Sequence, residues 1–186
     1  GNDVIPLPVG YTFPSVFTPK YQQDVENNAK KMFSELGIEN GMMFMQCKVE
    51  NGTCFVYDIG YRLTGSMEYK LFDKVAGYNP LKMLINFALT GKMTDEDISA
   101  KFDPIKLRPC YNVSCLCAPG TIARIEGCDE LKESEGVIDF ILTHYPGDTI
   151  TEEMRGLLTQ ITVRVLGYVN SKEELCDAMQ FIGDKV

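Results

Sequence analysis

Two adjacent residues, Asn51-Gly52, constrain this chain more than any other feature. They lie between two β-prone runs, Met42 to Glu50 and Thr53 to Arg62. Asn-Gly supplies the backbone conformation a tight turn needs, so the two runs are expected to pair as an antiparallel hairpin. Side chains alternate along a strand. On the second run, Cys54, Val56, Asp58, Gly60 and Arg62 would then share one face, and Phe55, Tyr57, Ile59 and Tyr61 the other. The bulky second face is expected to pack on the core. The first carries an acid and a guanidinium four residues apart with a glycine between them. A hard divalent cation needs carboxylate oxygen, and a phosphate suits the planar fork of arginine. One face would supply both. The bland reading of Asp58 and Arg62 is a surface pair that bond only each other, which contributes little.

The flanking segments predict an α+β chain with mostly antiparallel sheet and flanking helices. Pro6, Pro8, Gly10 and Pro14 mark an extended arm, and Thr18-Pro19 starts a helix. Val25, Ala29, Met32, Phe33 and Leu36 repeat at helical spacing up to a stop at Gly37. Leu81 to Leu89 reads as an apolar helix ending at Gly91, and Thr94 as the cap of a short helix to Ala100. In the tail, Cys115 to Ala118, Thr121 to Glu126, Val137 to His144 and Gln160 to Val169 read as strands, with a helical turn at Asp129 to Glu133. Ile161, Val163, Val165 and Gly167 would share a face of the last strand. Ser171 with Glu174 reads as the capping box of a final helix. A division into 1–113 and 114–186 is expected.

Composition narrows the partners. Apolar residues make up 45% of 186, enough for a real core, while a net charge of −8 excludes a nucleic-acid or anionic-membrane surface. No apolar run is long enough to span a bilayer, and no basic-then-apolar leader opens the sequence. Seven scattered cysteines suit reduced thiols and a cytoplasmic setting. The run Cys110 to Cys117 invites a zinc reading, but such a site takes four ligands in paired spacings and the sole histidine is His144. Buried structural thiols account for it better. The Asp95-Glu96-Asp97 cluster reads as the solvated first turn of a helix. His144 reads as a surface or hydrogen-bonded residue, and Met42, Met43 and Met45 as core.

The string Gly41-x4-Gln46, followed by Asp58-Ile-Gly60-Tyr-Arg62-Leu-Thr-Gly65, resembles the metal hairpin of the ATP-grasp superfamily. There an acid or Gln on one strand precedes a Glu-x-Asn-x-Arg-x-x-Gly string on the next. Gln46 is shared with carbamoyl-phosphate synthetase large chains. Gly77-Tyr-Asn79 before an apolar helix looks similar too, as does the tail with Gly120-Thr-Ile, Pro146-Gly147-Asp148 and the Gly167 strand. That tail resembles the small module closing biotin-carboxylase-like and amino-acid-ligase-like members. The resemblance implies Gln46 and Asp58 as metal-facing residues, Arg62 as the group steadying an acyl phosphate or carboxylate, and Asn79 as a further cofactor-binding residue, for which a turn residue before Pro80 is the bland and favoured reading. It implies ATP and magnesium as cofactors, a small-molecule carboxylate as substrate, and a carboxylate-amine or carboxylate-thiol ligase as parent. Two departures stand out: Asp58 is shorter than the usual Glu, and Gly60 replaces the usual Asn.

The lid that grips nucleotide phosphates does not fit upstream of Thr18, and no Gly-x4-Gly-Lys-Ser/Thr loop occurs. The expected partner is therefore the missing N-terminal portion of the same protein, and a homo-oligomer is compatible. This chain alone is expected to bind ATP weakly and not to turn over. The rival class is a degenerate, non-catalytic interaction or dimerisation module. The hairpin makes a checkable demand, since Gln46 must share a face with Asp58. A plain two-residue turn would set Gln46 opposite Tyr57. A three-residue loop, Glu50-Asn51-Gly52, with a glycine bulge restores the match and is the expectation.

Overall fold

The computed structural model describes residues 7–185. They form two compact units, one of residues 14–107 and one of residues 7–13 with 108–185. The expected boundary at 113/114 would have cut a strand, because 110–116 is continuous sheet, and the N-terminal arm adds a strand to that sheet. That arm strand is β1 (Gly10–Phe13).

The 14–107 unit opens with a helical stretch in three parts: α1 (Thr18–Tyr21), a π-helical turn (Gln22–Glu26) and α2 (Asn27–Glu35). The hairpin follows as β2 (Phe44–Glu50) and β3 (Thr53–Gly60). The π turn aims Asp24 at this hairpin. Its carboxylate accepts the Cys54 N–H at 2.8 Å and pairs with Lys20 at 2.9 Å. These contacts hold the Asp24 carboxyl below the usual carboxylate range, the Cys54 N–H first and Lys20 next. One face of the hairpin borders the helical stretch across a groove of about 500 Å³, lined by Tyr21, Phe33, Met45, Cys47, Val49 and Cys54 among others. Burial, with the Cys54 thiol beside it, pushes the Cys47 thiol up to about 11.

Three helices complete the unit. Helix α3 (Glu68–Val75), which the sequence reading did not anticipate, follows Met67 in the left-handed region. Helix α4 (Pro80–Thr90) starts on Asn79 and ends at a left-handed Gly91. Helix α5 (Ile98–Lys101) is capped by Asp97 and not by Thr94, whose hydroxyl instead accepts the Glu96 N–H. Phe72 stacks on Tyr78 at 5.7 Å, and Phe102 meets Tyr78 edge-on.

The other unit is built on an antiparallel sheet in the order β1-β4-β8-β6, from β4 (Cys110–Leu116), β6 (Val137–Leu142) and β8 (Ile161–Tyr168). Between β4 and β6 lie β5 (Gly120–Thr121) and α6 (Cys128–Glu133); β7 (Thr149–Ile150) pairs with β5. Helix α7 (Glu174–Lys185) ends the described chain. The core gathers Tyr111, Val113, Leu131, Val163, Val165 and Ile182. β8 is a central strand, so Thr162 and Leu166 on its second face are as buried as Val163 and Val165. The expected strand at Thr121 to Glu126 reduces to Gly120–Thr121, because left-handed Gly127 turns the chain into α6. The expected Ser171 box is replaced by Glu174 accepting the Asn170 N–H. His144 donates to the Thr159 carbonyl at 2.8 Å.

Candidate functional site

The hairpin turn is the plain two-residue one. Glu50 pairs with Thr53, and Asn51 and Gly52 both take positive φ, 48° and 74°. The three-residue bulged loop is therefore not formed. Gln46 nevertheless lies directly opposite Asp58, because the extra residue is accommodated farther along. Cys47 pairs with Val56 and Gln46 with Asp58, leaving Tyr57 as a bulge within β3. Asn-Gly fits the tight turn without strain, and a bulge in mid-strand restores the register.

The bulge also splits the expected faces. Cys54 and Val56 turn inward opposite Val49 and Cys47, whereas Asp58 turns outward with Gln46. The row expected in the core is exposed, with Tyr57 at 68% and Phe55 at 52%. The inward face is taken by the smaller Cys54 and Val56, of which Cys54 lines the groove beside the helical stretch, and Phe55 and Tyr57 stand outside. Tyr61 is held at its tip, where its hydroxyl donates to the Asn40 carbonyl at 2.5 Å.

The outward face therefore reads, in order, Gln46 opposite Asp58, then Phe44 opposite Gly60, then Arg62. Directly opposed side chains have Cβ atoms about 4.5–5.5 Å apart, which puts the Gln46 amide and the Asp58 carboxylate within reach of one ion. Both are exposed, and neither has a hydrogen bond or ion pair among the described residues. Arg62 is not paired with Asp58. Its Nη1 donates to the Leu63 carbonyl at 2.9 Å, and its guanidinium lies 4.7 Å from the centre of the Phe44 ring. The bland surface-pair reading thus has no contact to support it.

Asn79 is the cap residue of α4. Its amide oxygen accepts the Leu81 and Lys82 N–H groups at 3.0 and 3.1 Å, and its amide nitrogen donates to Asp73. The oxygen caps the start of α4, and the nitrogen ties that start to Asp73 of α3. Phe44 was missed in the sequence reading, although a signal existed: once Gln46 is set opposite Asp58, Phe44 falls opposite a glycine.

Among the described residues, no group of three or more His, Cys, Asp or Glu side chains is placed to hold a metal ion. The outward face offers one carboxylate and one amide oxygen. That set fits magnesium, which keeps several waters and takes one or two carboxylates together with substrate phosphates. It does not fit an all-protein cage. No helix among the described residues is long and apolar enough to cross a membrane.

This topology, with its hairpin and four-stranded sheet, is the fold of one part of ATP-grasp proteins. The chain superimposes on an L-amino acid ligase from Bacillus licheniformis with a TM-score of 0.75 at 18% identity, over 95% of this chain and 42% of that one. It is equally similar to a phosphoribosylglycinamide synthetase from Anaerococcus prevotii, with a TM-score of 0.75 at 13% identity over 96% and 44%. Rhizobium etli pyruvate carboxylase matches with a TM-score of 0.62 at 15% identity, over 93% of this chain and 17% of that enzyme. The chain thus spans less than half the length of these proteins. No family model matches the sequence, and no curated protein does.

Proposed function

We propose that this chain is the metal- and phosphate-bearing part of an ATP-dependent ligase that activates a carboxylate as an acyl phosphate for attack by an amine, ammonia or a thiol. One observation carries the reading. Gln46 and Asp58 stand directly opposite each other on the outward face, unpaired, with Arg62 farther along the same face. Asp58 and Gln46 hold magnesium, directly or through water. Magnesium bound there supplies neutralisation of charge on the transferred phosphoryl group. Arg62 presents its remaining donors to that group or to the substrate carboxylate. Asn79 serves by fixing the start of α4. The rest of the nucleotide site comes from the remainder of the parent protein, consistent with the 42% of the amino acid ligase that this chain spans.

The exposed side chains of Phe55 and Tyr57 favour a second reading, in which the hairpin is a non-catalytic interaction face. Isothermal titration of the full-length parent protein with Mg-ATP separates the two. The ligase reading predicts millimolar binding that needs magnesium and weakens about tenfold or more in Arg62→Ala, the size expected for a charge-assisted hydrogen bond. Absence of binding at millimolar Mg-ATP overturns it in favour of the interaction face.

A further inference from the structure

The space above Gly60 is not empty. A Cβ built on Gly60 would lie 2.0 Å from Cε1 and 2.3 Å from Cζ of Phe44, so the Phe44 ring rests directly on the glycine backbone. The two residues are register partners on the outward face, next to the Gln46–Asp58 pair. Arg62 lies over the same ring, its guanidinium carbon 4.7 Å from the ring centre. The ring thus touches the glycine backbone and carries the guanidinium. Arg62 is otherwise tied only by one bond to its neighbour's carbonyl, and it is exposed. An exposed arginine on a flexible stem samples many rotamers, and each that is lost on binding weakens binding. A ring beneath the guanidinium removes part of that loss beforehand and leaves the in-plane N–H donors not bonded to Leu63 available.

We infer that Phe44 is a positioning residue: seated on Gly60, it holds the Arg62 guanidinium toward the phosphate groups of a ligand whose magnesium ion lies at Gln46 and Asp58. The same ring fills the volume where a third side-chain ligand would stand, so the face takes the metal with its polyphosphate and not the bare ion. This rests on the phosphate-site reading above.

The test uses the whole chain and inorganic triphosphate. NMR of the free protein reads the Arg62 Nε–H proton, which a ring beneath the guanidinium shifts upfield. Phe44→Leu removes the shift, while Phe44→Tyr keeps it. In titrations, Mg-triphosphate binds Phe44→Leu about three- to fivefold more weakly than wild type, the scale of an exposed cation–π contact, and Phe44→Tyr restores it. Magnesium alone binds none of the three. An Arg62 Nε–H resonance as far upfield in Phe44→Leu as in wild type, or unchanged triphosphate affinity with the backbone spectrum intact, overturns the positioning role while leaving the phosphate site standing. Tight binding of magnesium alone to wild type overturns the polyphosphate requirement. Failure of wild type to bind Mg-triphosphate removes the site itself and this inference with it. A misfolded Phe44→Leu is recognised by its backbone spectrum, and Arg62→Lys, which keeps the charge and loses the planar stack, then decides: affinity equal to wild type refutes the proposal and a similar three- to fivefold loss supports it.

Discussion

Replacing Gly167 by alanine puts a methyl group where the ring of Tyr111 already lies. The two residues are direct partners across β8 and β4. A Cβ on Gly167 would stand 2.3 Å from the Tyr111 hydroxyl oxygen, 2.4 Å from Cζ and 2.7 Å from the Gly136 carbonyl oxygen. Comfortable carbon contacts lie at about 3.5–4.0 Å, so a relief of more than an ångström is required. The ring is 3% exposed and wedged in the core cluster, so it has no open space to swing into. The Gly136 carbonyl accepts the Tyr168 N–H at 2.9 Å and is held as well. Overpacking of this kind costs about 1–3 kcal/mol. Removing a strand glycine returns about 0.5–1 kcal/mol. The net expectation is a loss of about 1–2 kcal/mol from the 108–185 unit. Hydrogen exchange of the β4 and β8 amides reads that loss locally. A cycle with Tyr111→Leu isolates its cause, with a coupling of about 1 kcal/mol, because the smaller side chain makes room for the methyl group. Gly167→Ala as stable as wild type, or additive with Tyr111→Leu within about 0.5 kcal/mol, would refute the argument.

Three further outcomes are expected. The folded Asp24 pKa lies below its ordinary value of 3.8, so its stabilisation of the hairpin is present above that pH and is lost as pH falls through the folded value. Exchange protection of the Cys54 amide should therefore decline at acid pH in wild type, whereas in Asp24→Asn it should be weaker at pH 6 and flatter below. Burial and the neighbouring Cys54 thiol push Cys47 up to about 11, so iodoacetamide at pH 8 should label exposed Cys176 well before Cys47, as read by mass spectrometry. Asn79→Ala should destabilise the 14–107 unit by about 1 kcal/mol in urea titration through loss of the α4 cap, with Mg-triphosphate affinity unchanged.

Local chemistry made much of this legible. Asn51-Gly52 marks the hairpin by conformation alone, and Asn79-Pro80 with Gly91 brackets α4, because caps and left-handed residues act within a few positions. The α+β class follows from the same kind of reasoning, whereas the facing of Gln46 and Asp58, expected from the family resemblance through a bulged loop, is reached instead by a bulge within β3. What was not legible is non-local. Nothing in the smooth alternation from Phe55 to Tyr61 marks Tyr57 as the extra residue. That choice is made by the inward face, where Cys54 lines the groove beside the helical stretch and Asp24 accepts the Cys54 N–H. The exposure of the aromatic row follows from it. Helix α3 was hidden because its start is a left-handed Met67 supported by a Thr64 to Glu68 hydrogen bond, neither of which is a common start signal. The seat of Phe44 on Gly60 needs the register before it can be read at all.

The most direct test of the central claim places a paramagnetic ion on the polyphosphate. In NMR spectra of the chain titrated with Mn²⁺-triphosphate, the Gln46 side-chain amide and the Asp58 backbone amide should broaden first, with Arg62 Nε–H close behind, and Asp58→Asn should abolish the pattern. Broadening centred on the acidic cluster at Asp95, Glu96 and Asp97, with the hairpin untouched, would contradict the account.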